Sequence, residues 1–120
     1  MSLRQGEIVI DCADHEAVVP FWAAALGWER RDVDEQYVAL IPKQVEQPSE
    51  GPQPLPLLFQ KVPEPKISKN RVHMDFRSED RALEVARLVS LGAREGPTRR
   101  LGTLTWTVVE DPEGNEFCVQ

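Results

Sequence analysis

The sequence has few of the features that define special classes of protein. Two cysteines, Cys12 and Cys118, occur in 120 residues, which is too few for a disulfide framework. We expect free thiols, with a disulfide as the alternative. No apolar run approaches the roughly 20 residues that a membrane-spanning helix needs. The N-terminus also lacks the charged-then-apolar pattern of a signal peptide. We therefore expect a cytoplasmic protein with no membrane partner.

Positive charge is also scarce in this chain. The 14 Lys and Arg residues are outnumbered by 20 Asp and Glu, which gives a net charge of -6 at pH 7. Nucleic-acid-binding surfaces need clustered basic side chains, so nucleic acid is not an expected partner. The hydrophobic fraction of 41% and the charged fraction of 28% are ordinary for globular proteins. The length fits a single domain, residues 1–120, that folds unaided.

The first half of the chain predicts a strand, a helix and three further strands. Residues 7–12 alternate in polarity, Asp14 is a suitable helix N-cap, and Gly27 is a suitable helix end. Pro20 lies inside this helix, where we expect it to bend the first turn or delay the start. The three strands are predicted at residues 28–32, 36–41 and 57–62, with a proline-rich loop at 42–56.

The second half predicts the same order of elements. A strand over Val72–Arg77 precedes a helix over Glu79–Leu91, which Gly92 ends. Further strands are predicted as a short one near residues 93–96 and longer ones at 103–110 and 115–120. Aligning Gly27 with Gly92 indicates an internal duplication, with a first module at about residues 5–62 and a second at about 70–120.

The first strand of each half predicts one face against a helix and one polar face. The predicted helix-facing residues are Ile8, Ile10 and Cys12 in the first half and Val72, Met74 and Phe76 in the second. The opposite faces carry Glu7, Val9 and Asp11 in the first half and His73, Asp75 and Arg77 in the second. This density of ionisable groups fits a ligand pocket or, equally, the wet face of an open sheet.

Several motifs in this order resemble the vicinal-oxygen-chelate superfamily, specifically its glyoxalase and bleomycin-resistance-like members. The resemblance covers nearly the whole chain, and its most specific part is the turn Asp111–Asn115 before a final strand. The motifs that carry it are Ile10-Asp11-Cys12-Ala13-Asp14, Phe21-Trp22, Leu26-Gly27-Trp28, Val72-His73-Met74-Asp75-Phe76, Leu91-Gly92-Ala93 and Glu110-Asp111-Pro112-Glu113-Gly114-Asn115-Glu116-Phe117. The resemblance implies an α+β fold in which two βαβββ modules form a curved mixed sheet around a cleft, with the helices outside.

The resemblance also implies positions for metal ligands, one in each first and each last strand. These positions fall on Glu7, Gln60, His73 and Cys118, although in one register Leu58 replaces Gln60. Cys118 stands where metal-dependent relatives usually have Glu. Because this mixture of donors suits no one metal clearly, we favour a metal-free pocket over a site for Zn, Ni, Mn or Fe.

Two functions follow from the resemblance as expectations. The first is a small-molecule-binding protein that acts as an atypical lyase, isomerase or dioxygenase-type enzyme, with Glu7 and His73 as catalytic residues. The alternative is a metal-free protein that sequesters its ligand, as bleomycin-resistance-like relatives do. The expected pocket residues are Asp11, Gln60, Asp75, Arg77, Trp106 and Glu116. We expect a homodimer, and we expect Trp22 to be part of the core rather than of the pocket.

Overall fold

The computed structural model describes residues 2–43 and 53–120. The chain divides into two compact units, the first ending at Pro65 and the second running from Lys66 to Gln120. Each unit contains a strand, a helix and three further strands in chain order. Most of the loop predicted at residues 42–56 lies outside the described residues.

The first unit is a four-stranded mixed sheet with one helix. Its strands follow the spatial order β1-β4-β3-β2, with β1 and β4 parallel and the other neighbours antiparallel. The elements are β1 (Ile8–Cys12), α1 (His15–Leu26), β2 (Glu29–Asp32), β3 (Tyr37–Ile41) and β4 (Leu57–Lys61). All five agree with the predicted elements to within one residue at strand ends.

Both predicted ends of α1 are confirmed. The Asp14 carboxylate accepts a hydrogen bond from the Glu16 N–H at 2.9 Å, and Gly27 adopts the left-handed conformation with φ 67°. The expectation that Pro20 delays the helix is wrong, because the helix begins at His15, directly after its cap. Pro20 is exposed, and its ring costs the helix one N–H donor to the Glu16 carbonyl.

The core of the first unit lies between α1 and one face of the sheet. Trp22 is only 2% exposed and packs edge-on against Phe21 with ring centroids 5.3 Å apart, which confirms its structural role. Leu57 and Phe59 of β4 are also buried, so Leu58 and Gln60 lie on the opposite, open face. Cys12 is a buried free thiol, as predicted.

The second unit repeats the first in topology. Its strand order is β5-β8-β7-β6, with β5 and β8 parallel and the other neighbours antiparallel. The elements are β5 (Asp75–Phe76), α2 (Arg81–Ser90), β6 (Arg94–Leu101), β7 (Leu104–Glu110) and β8 (Glu116–Val119). The chain is therefore an α+β protein of two βαβββ modules, each with its own four-stranded sheet. Among the described residues, no helix is long and apolar enough to cross a membrane.

The first strand of the second unit is shorter than predicted, and Val72 is not a core residue. Val72 is 84% exposed, and the ladder with β8 begins only at Asp75. The reason lies in the preceding segment, where the Asn70 side-chain amide donates to the Glu116 backbone oxygen at 3.1 Å. That bond occupies a carbonyl that a longer β5 would need, so the segment before Asp75 leaves the sheet.

Two other boundaries in the second unit differ from the prediction. The strand expected at residues 93–96 extends to Leu101, because a tight turn at Gly102, with φ 60°, pairs β6 with β7 as a hairpin. Because β6 is mostly polar, the pattern of hydrophobic residues did not indicate its full length. Helix α2 begins at Arg81 rather than residue 79, because the Asp80 carboxylate caps it by accepting from the Leu83 N–H at 3.1 Å.

Candidate functional site

Three potential metal-binding side chains converge on the second unit. The ligand atoms of His73, Asp75 and Cys118 all lie within 4.8 Å of one another. His73 Nε2 is 3.3 Å from Asp75 Oδ1. The His73 and Asp75 side chains are 41% and 51% exposed, whereas Cys118 is buried. We refer to these three residues as the His-Asp-Cys cluster.

The cluster is a direct consequence of the parallel pairing of β5 with β8. Asp75 and Cys118 are register partners, and the Cys118 N–H donates to the Met74 carbonyl at 2.9 Å. His73 lies two residues before Asp75 and outside β5, and its Nε2 atom reaches within 3.3 Å of Asp75 Oδ1. The sequence predicted His73 and Cys118 as ligands, but it placed Asp75 only in the pocket lining.

The Cys118 thiol is held in its protonated form by its surroundings. Burial raises the pKa of Cys118, and the adjacent Asp75 carboxylate raises it further through its charge and a hydrogen bond. The Lys69 ammonium opposes this effect and lowers the pKa. The metal-free thiol is therefore a hydrogen-bond donor to Asp75 and a poor nucleophile at neutral pH.

Hydrophobic side chains of β7 continue the same face of the sheet. Val108 is the register partner of Cys118, and Trp106 lies two residues away on the same face. Both side chains are half-buried, whereas Thr107 and Val109 point into the core. The open face thus combines the polar cluster with an apolar neighbour.

Arg77, another predicted pocket residue, directly follows β5. It lines an open concavity of about 380 Å³ at the N-terminal end of α2. The other lining residues are Ser78, Glu79, Asp80, Leu83 and Glu84. Arg77 follows the last residue of β5, where the strand pairing no longer fixes its direction.

Glu116, another predicted pocket residue, is bound by side chains and backbone of its own unit. Its Oε1 lies 2.9 Å from Lys66 Nζ, and its Oε2 accepts from the Asn70 N–H at 2.9 Å. Lys66 also donates to the Ser68 carbonyl at 2.6 Å. Glu116 thereby fastens the segment that leads into His73 onto the last strand. We refer to Lys66, Asn70 and Glu116 as the Glu116 clamp.

The charge of Glu116 is stabilised by this clamp. Burial raises the pKa of Glu116, but the hydrogen bonds from the Asn70 backbone and from Lys66 lower it by more, so the net pKa lies below its ordinary value. The side chains of Glu116 and Lys66 are 15% and 23% exposed, so the pair is only partly screened by water. Glu116 is therefore ionised at neutral pH and holds its partners firmly.

The first unit has its own polar row on the open face of its sheet. Asp11 pairs in register with Gln60, and Gln60 pairs with Tyr37 on the next strand. Gln60 and Leu58 both face this side, so the orientation of β4 alone does not choose between them as the fourth ligand position. Glu7 lies outside β1 and is exposed, four residues before Asp11. At about 3.3 Å per residue it is displaced by roughly 13 Å along the strand direction from the level of Gln60.

Sequence reasoning did not single out Tyr37 or Lys69. Tyr37 could have been found from the alternation of its strand, since the neighbouring Val38 and Leu40 are buried. Lys69 has no sequence signal, because it lies in an irregular polar segment whose path depends on the Glu116 clamp. The predicted ligands divide between the units, with Glu7 and Gln60 in the first and His73 and Cys118 in the second.

Comparison with solved structures places this fold among known proteins. The fosfomycin resistance protein of Listeria monocytogenes, solved with Mn(II) and 1S,2S-dihydroxypropylphosphonic acid, gives a TM-score of 0.76 at 14% identity, over 100% of this chain and 90% of that chain. The bleomycin-binding protein of Streptomyces verticillus, solved with copper(II)-bleomycin, gives 0.62 at 17% identity, over 100% and 98%. A glyoxalase/bleomycin resistance protein/dioxygenase family enzyme from Burkholderia phytofirmans gives 0.71 at 14% identity, over 95% and 94%. These likenesses establish the fold.

Comparison at the level of sequence identifies the family. No curated protein sequence matches this chain. The sequence model of the glyoxalase-like domain, however, matches residues 7–120, which is nearly the whole chain. The duplicated βαβββ topology and the turn at Asp111–Asn115 agree with that match. This chain therefore belongs to the glyoxalase-like domain family.

Proposed function

We propose that this protein binds a small organic molecule on the open face of its second sheet and acts on it as an atypical lyase, isomerase or dioxygenase-type enzyme. The observation that carries the proposal is the His-Asp-Cys cluster, whose ligand atoms lie within 4.8 Å of one another. An imidazole, a carboxylate and a thiol brought together in this way are groups that can bind or act on a ligand.

The surroundings of the cluster indicate the chemistry of the ligand. Trp106 and Val108 offer an apolar surface beside Cys118, while His73 and Asp75 offer hydrogen-bonding groups. A mixed lining of this kind is typical of sites for small organic molecules. We infer a ligand that carries oxygen atoms at one end and an apolar group at the other.

The residues of the cluster fit a divalent metal ion. An imidazole, a carboxylate and a thiol are all established metal ligands, and a relative with this fold has been solved with Mn(II). A bound metal would supply Lewis-acid stabilisation of negative charge on two neighbouring oxygens of the ligand. His73, Asp75 and Cys118 would hold it, and His73 would be a ligand rather than a free base.

Other predicted site residues keep their proposed roles in this enzyme. Glu7, an exposed residue before β1, is the proposed proton-transfer base, because a carboxylate is chemically able to accept a proton. Asp11 and Gln60 are proposed to line a pocket of the first unit, with Tyr37 beside Gln60 in register. Glu116 contributes indirectly, by holding the segment that positions His73.

The second candidate function is metal-free sequestration of a small molecule. It is favoured by the protonated state of Cys118, because the thiol then donates a hydrogen bond to Asp75 and the cluster needs no metal ion to hold it together. A bleomycin-binding protein with the same fold supports this candidate as well. For this second function, the cluster and Trp106 form the surface that binds the ligand, and no bond of the ligand is broken.

Backbone amide chemical shifts of the isotope-labelled chain would test the proposal and separate the two functions. The probes are 1S,2S-dihydroxypropylphosphonic acid, simple 1,2-diols and 2-hydroxy acids, each added with and without Zn(II). We expect the largest shifts at Asp75, Trp106, Val108 and Cys118. Shifts that need the metal favour the enzyme, and shifts without it favour sequestration. Shifts confined to residues of α1 and α2 would contradict the proposed location.

We further propose that the protein is a homodimer. Leu101 and Leu104, at the tip of the β6–β7 hairpin, are 69% and 53% exposed, and an exposed apolar pair of this kind supports association. Light scattering should give twice the 13.6 kDa mass of one chain, and a single species with the mass of one chain would contradict the proposal.

A further inference from the structure

The geometry of the His-Asp-Cys cluster is close to that of a tetrahedral metal site. In a tetrahedral zinc site the bond lengths place N and O ligand atoms about 3.4 Å apart and N and S atoms about 3.6 Å apart. His73 Nε2 and Asp75 Oδ1 are already 3.3 Å apart, and no pair in the cluster exceeds 4.8 Å. Side-chain movements of roughly 1 Å would therefore complete the arrangement.

The backbone that carries these side chains is fixed by hydrogen bonds on both strands. The Cys118 N–H donates to the Met74 carbonyl at 2.9 Å, and the Gln120 N–H donates to the Phe76 carbonyl at 2.8 Å. The Glu116 clamp holds the segment before His73 to the same strand. A site built on paired strands loses little conformational entropy when a metal binds.

The three residues of the cluster differ in how far they are buried. Cys118 is 5% exposed and lies at the base, whereas the His73 and Asp75 side chains are 41% and 51% exposed. A tetrahedral metal held by all three would keep its fourth coordination position on the solvent side. One oxygen of a ligand could take that position, and expansion to five-coordination would admit a second oxygen.

The donor atoms decide which class of metal fits. A thiolate is a soft ligand and an imidazole is intermediate, so the set favours Zn(II) and Co(II) over Mg(II) and Mn(II), which prefer oxygen. We propose that the second unit alone binds one zinc-class ion through His73, Asp75 and Cys118, with no ligand from Glu7 or Gln60. This inference rests on the proposed function, because it names the metal of the same face.

The inference departs from the ligand set that the family resemblance implies. That set takes two ligands from each module, namely Glu7 and Gln60 with His73 and Cys118. Asp75 replaces both ligands of the first module here, since its carboxylate already lies beside the imidazole. When the metal binds, the Cys118 S–H bond breaks, its proton passes to water and a sulfur–metal bond forms, with no change of oxidation state.

Cobalt(II) is the direct probe, because its spectrum reports both sulfur ligation and geometry. The full chain, stripped with a chelator, is titrated with Co(II) and then with Zn(II) in competition. We expect one Co(II) per chain, a sulfur-to-cobalt charge-transfer band in the near ultraviolet and strong visible bands of a tetrahedral ion. Zn(II) should displace the cobalt, and a large excess of Mg(II) or Mn(II) should not.

Substitutions distinguish this site from the family arrangement. Because even outer-shell changes cost about 10–100-fold in metal affinity, Asp75→Asn and His73→Ala should each weaken Co(II) binding by about 100-fold or more. Cys118→Ser should abolish the charge-transfer band, and Cys118→Ala checks the result with a residue that cannot ligate. Glu95→Gln, which changes an exposed carboxylate on β6, is the matched control and should leave the affinity unchanged.

The decisive comparison is with Glu7→Gln and Gln60→Ala. Both should bind Co(II) within about threefold of the unmodified chain, since neither is a ligand in this proposal. A loss of Co(II) affinity in either variant equal to that of Asp75→Asn would overturn the proposal. The proposal would also be overturned if the unmodified chain, shown to be folded by circular dichroism, gave no sulfur-to-cobalt band. Metal-dependent amide shifts on the second sheet in a chain that lacks the sulfur band would overturn this inference and leave the proposed function standing, so the two failures are distinguishable.

Discussion

Lys66 Nζ lies 2.9 Å from the Glu116 carboxylate and joins the first residue of the second unit to its last strand. The contact bridges 50 residues of sequence, and the Asn70 N–H binds the other oxygen of the same carboxylate. These bonds draw the segment of residues 66–70 onto β8, directly before His73. The geometry of the candidate site thus depends on a salt bridge outside it.

Replacing Glu116 by Gln should destabilise the second unit. The change removes the charge that pairs with the partly buried Lys66, at a cost of about 1–2 kcal/mol in the free energy of unfolding. Denaturant unfolding followed by circular dichroism measures the difference. Glu95→Gln, at an exposed position, should change the stability by less than about 0.5 kcal/mol. Equal effects of the two substitutions would show that the clamp contributes nothing.

The stabilisation by Glu116 should disappear in acid. Burial raises the pKa of Glu116, but the bonds from Asn70 and Lys66 lower it by more, so the folded pKa lies below the unfolded one. Such a group stabilises the fold fully above its ordinary pKa of 4.5, and the stabilisation is lost as the pH falls through the folded pKa. The stability gap between the unmodified chain and Glu116→Gln should therefore shrink between about pH 6 and about pH 3. A gap that widens over this range would contradict the assignment.

The turn before β8 should be sensitive to loss of its buried carboxylate. Asp111 is 3% exposed and accepts from the Glu113 N–H at 2.9 Å, the Asn115 N–H at 3.0 Å and the Asn115 side-chain amide at 3.2 Å. Asp111→Ala leaves these donors without an acceptor and should cost about 2–3 kcal/mol in unfolding free energy. Asp111→Asn retains one acceptor oxygen and should cost less. Thermal unfolding of both variants checks the order, and the reverse order would refute this account.

Gly96 should not tolerate a side chain, although its backbone dihedrals do not require glycine. A Cβ at this position would lie 2.7 Å from the Val108 backbone oxygen, which the β6–β7 ladder holds in place. Gly96→Ala should destabilise the protein by about 1–3 kcal/mol through this overlap. Gly6→Ala is the control, because a Cβ there meets no atom within 4 Å. The melting temperatures of the two variants give the comparison, and equal values would exclude the predicted overlap.

The buried hydroxyl of Thr107 should contribute to the packing of α2 on the second sheet. Thr107 is fully buried, and its hydroxyl accepts from Arg81 Nη1 at 2.7 Å and lies 2.8 Å from the Thr98 hydroxyl. Thr107→Val keeps the shape but removes the acceptor, which should cost about 1–2 kcal/mol in unfolding free energy. Thr103→Val, at the exposed hairpin turn, serves as the comparison. If both changes leave the chemical denaturation midpoint unaltered, the contact between Arg81 and Thr107 contributes nothing to the free energy of unfolding.

The sequence predicted the elements whose signals are local. The N-cap Asp14 and the left-handed Gly27 mark the ends of α1, and alternation identified the open face of β1, including Asp11. Helix caps and strand alternation act over a few residues, so they can be found without knowledge of the fold. The same reasoning identified the duplication, because both modules place Gly directly after the helix.

The departures occur where a distant residue competes with the local pattern. Val72 has the hydrophobicity of a strand residue, yet it is exposed because Asn70 binds Glu116, 46 residues away. The strand β6 is polar and was predicted too short, because its pairing with β7, not its own side chains, stabilises it. Neither contact leaves a signal in the segment that it changes.

The candidate site shows the same division between sequence and tertiary structure. The sequence by itself determined the residue types and the family, and it indicated His73 and Cys118 as candidate ligands. Only the tertiary structure decided that Asp75 joins them, because the parallel register of β5 with β8 sets Asp75 opposite Cys118. Register depends on the hydrogen-bonding of two strands that are far apart in the chain, and a shift of one residue would turn Asp75 to the other face.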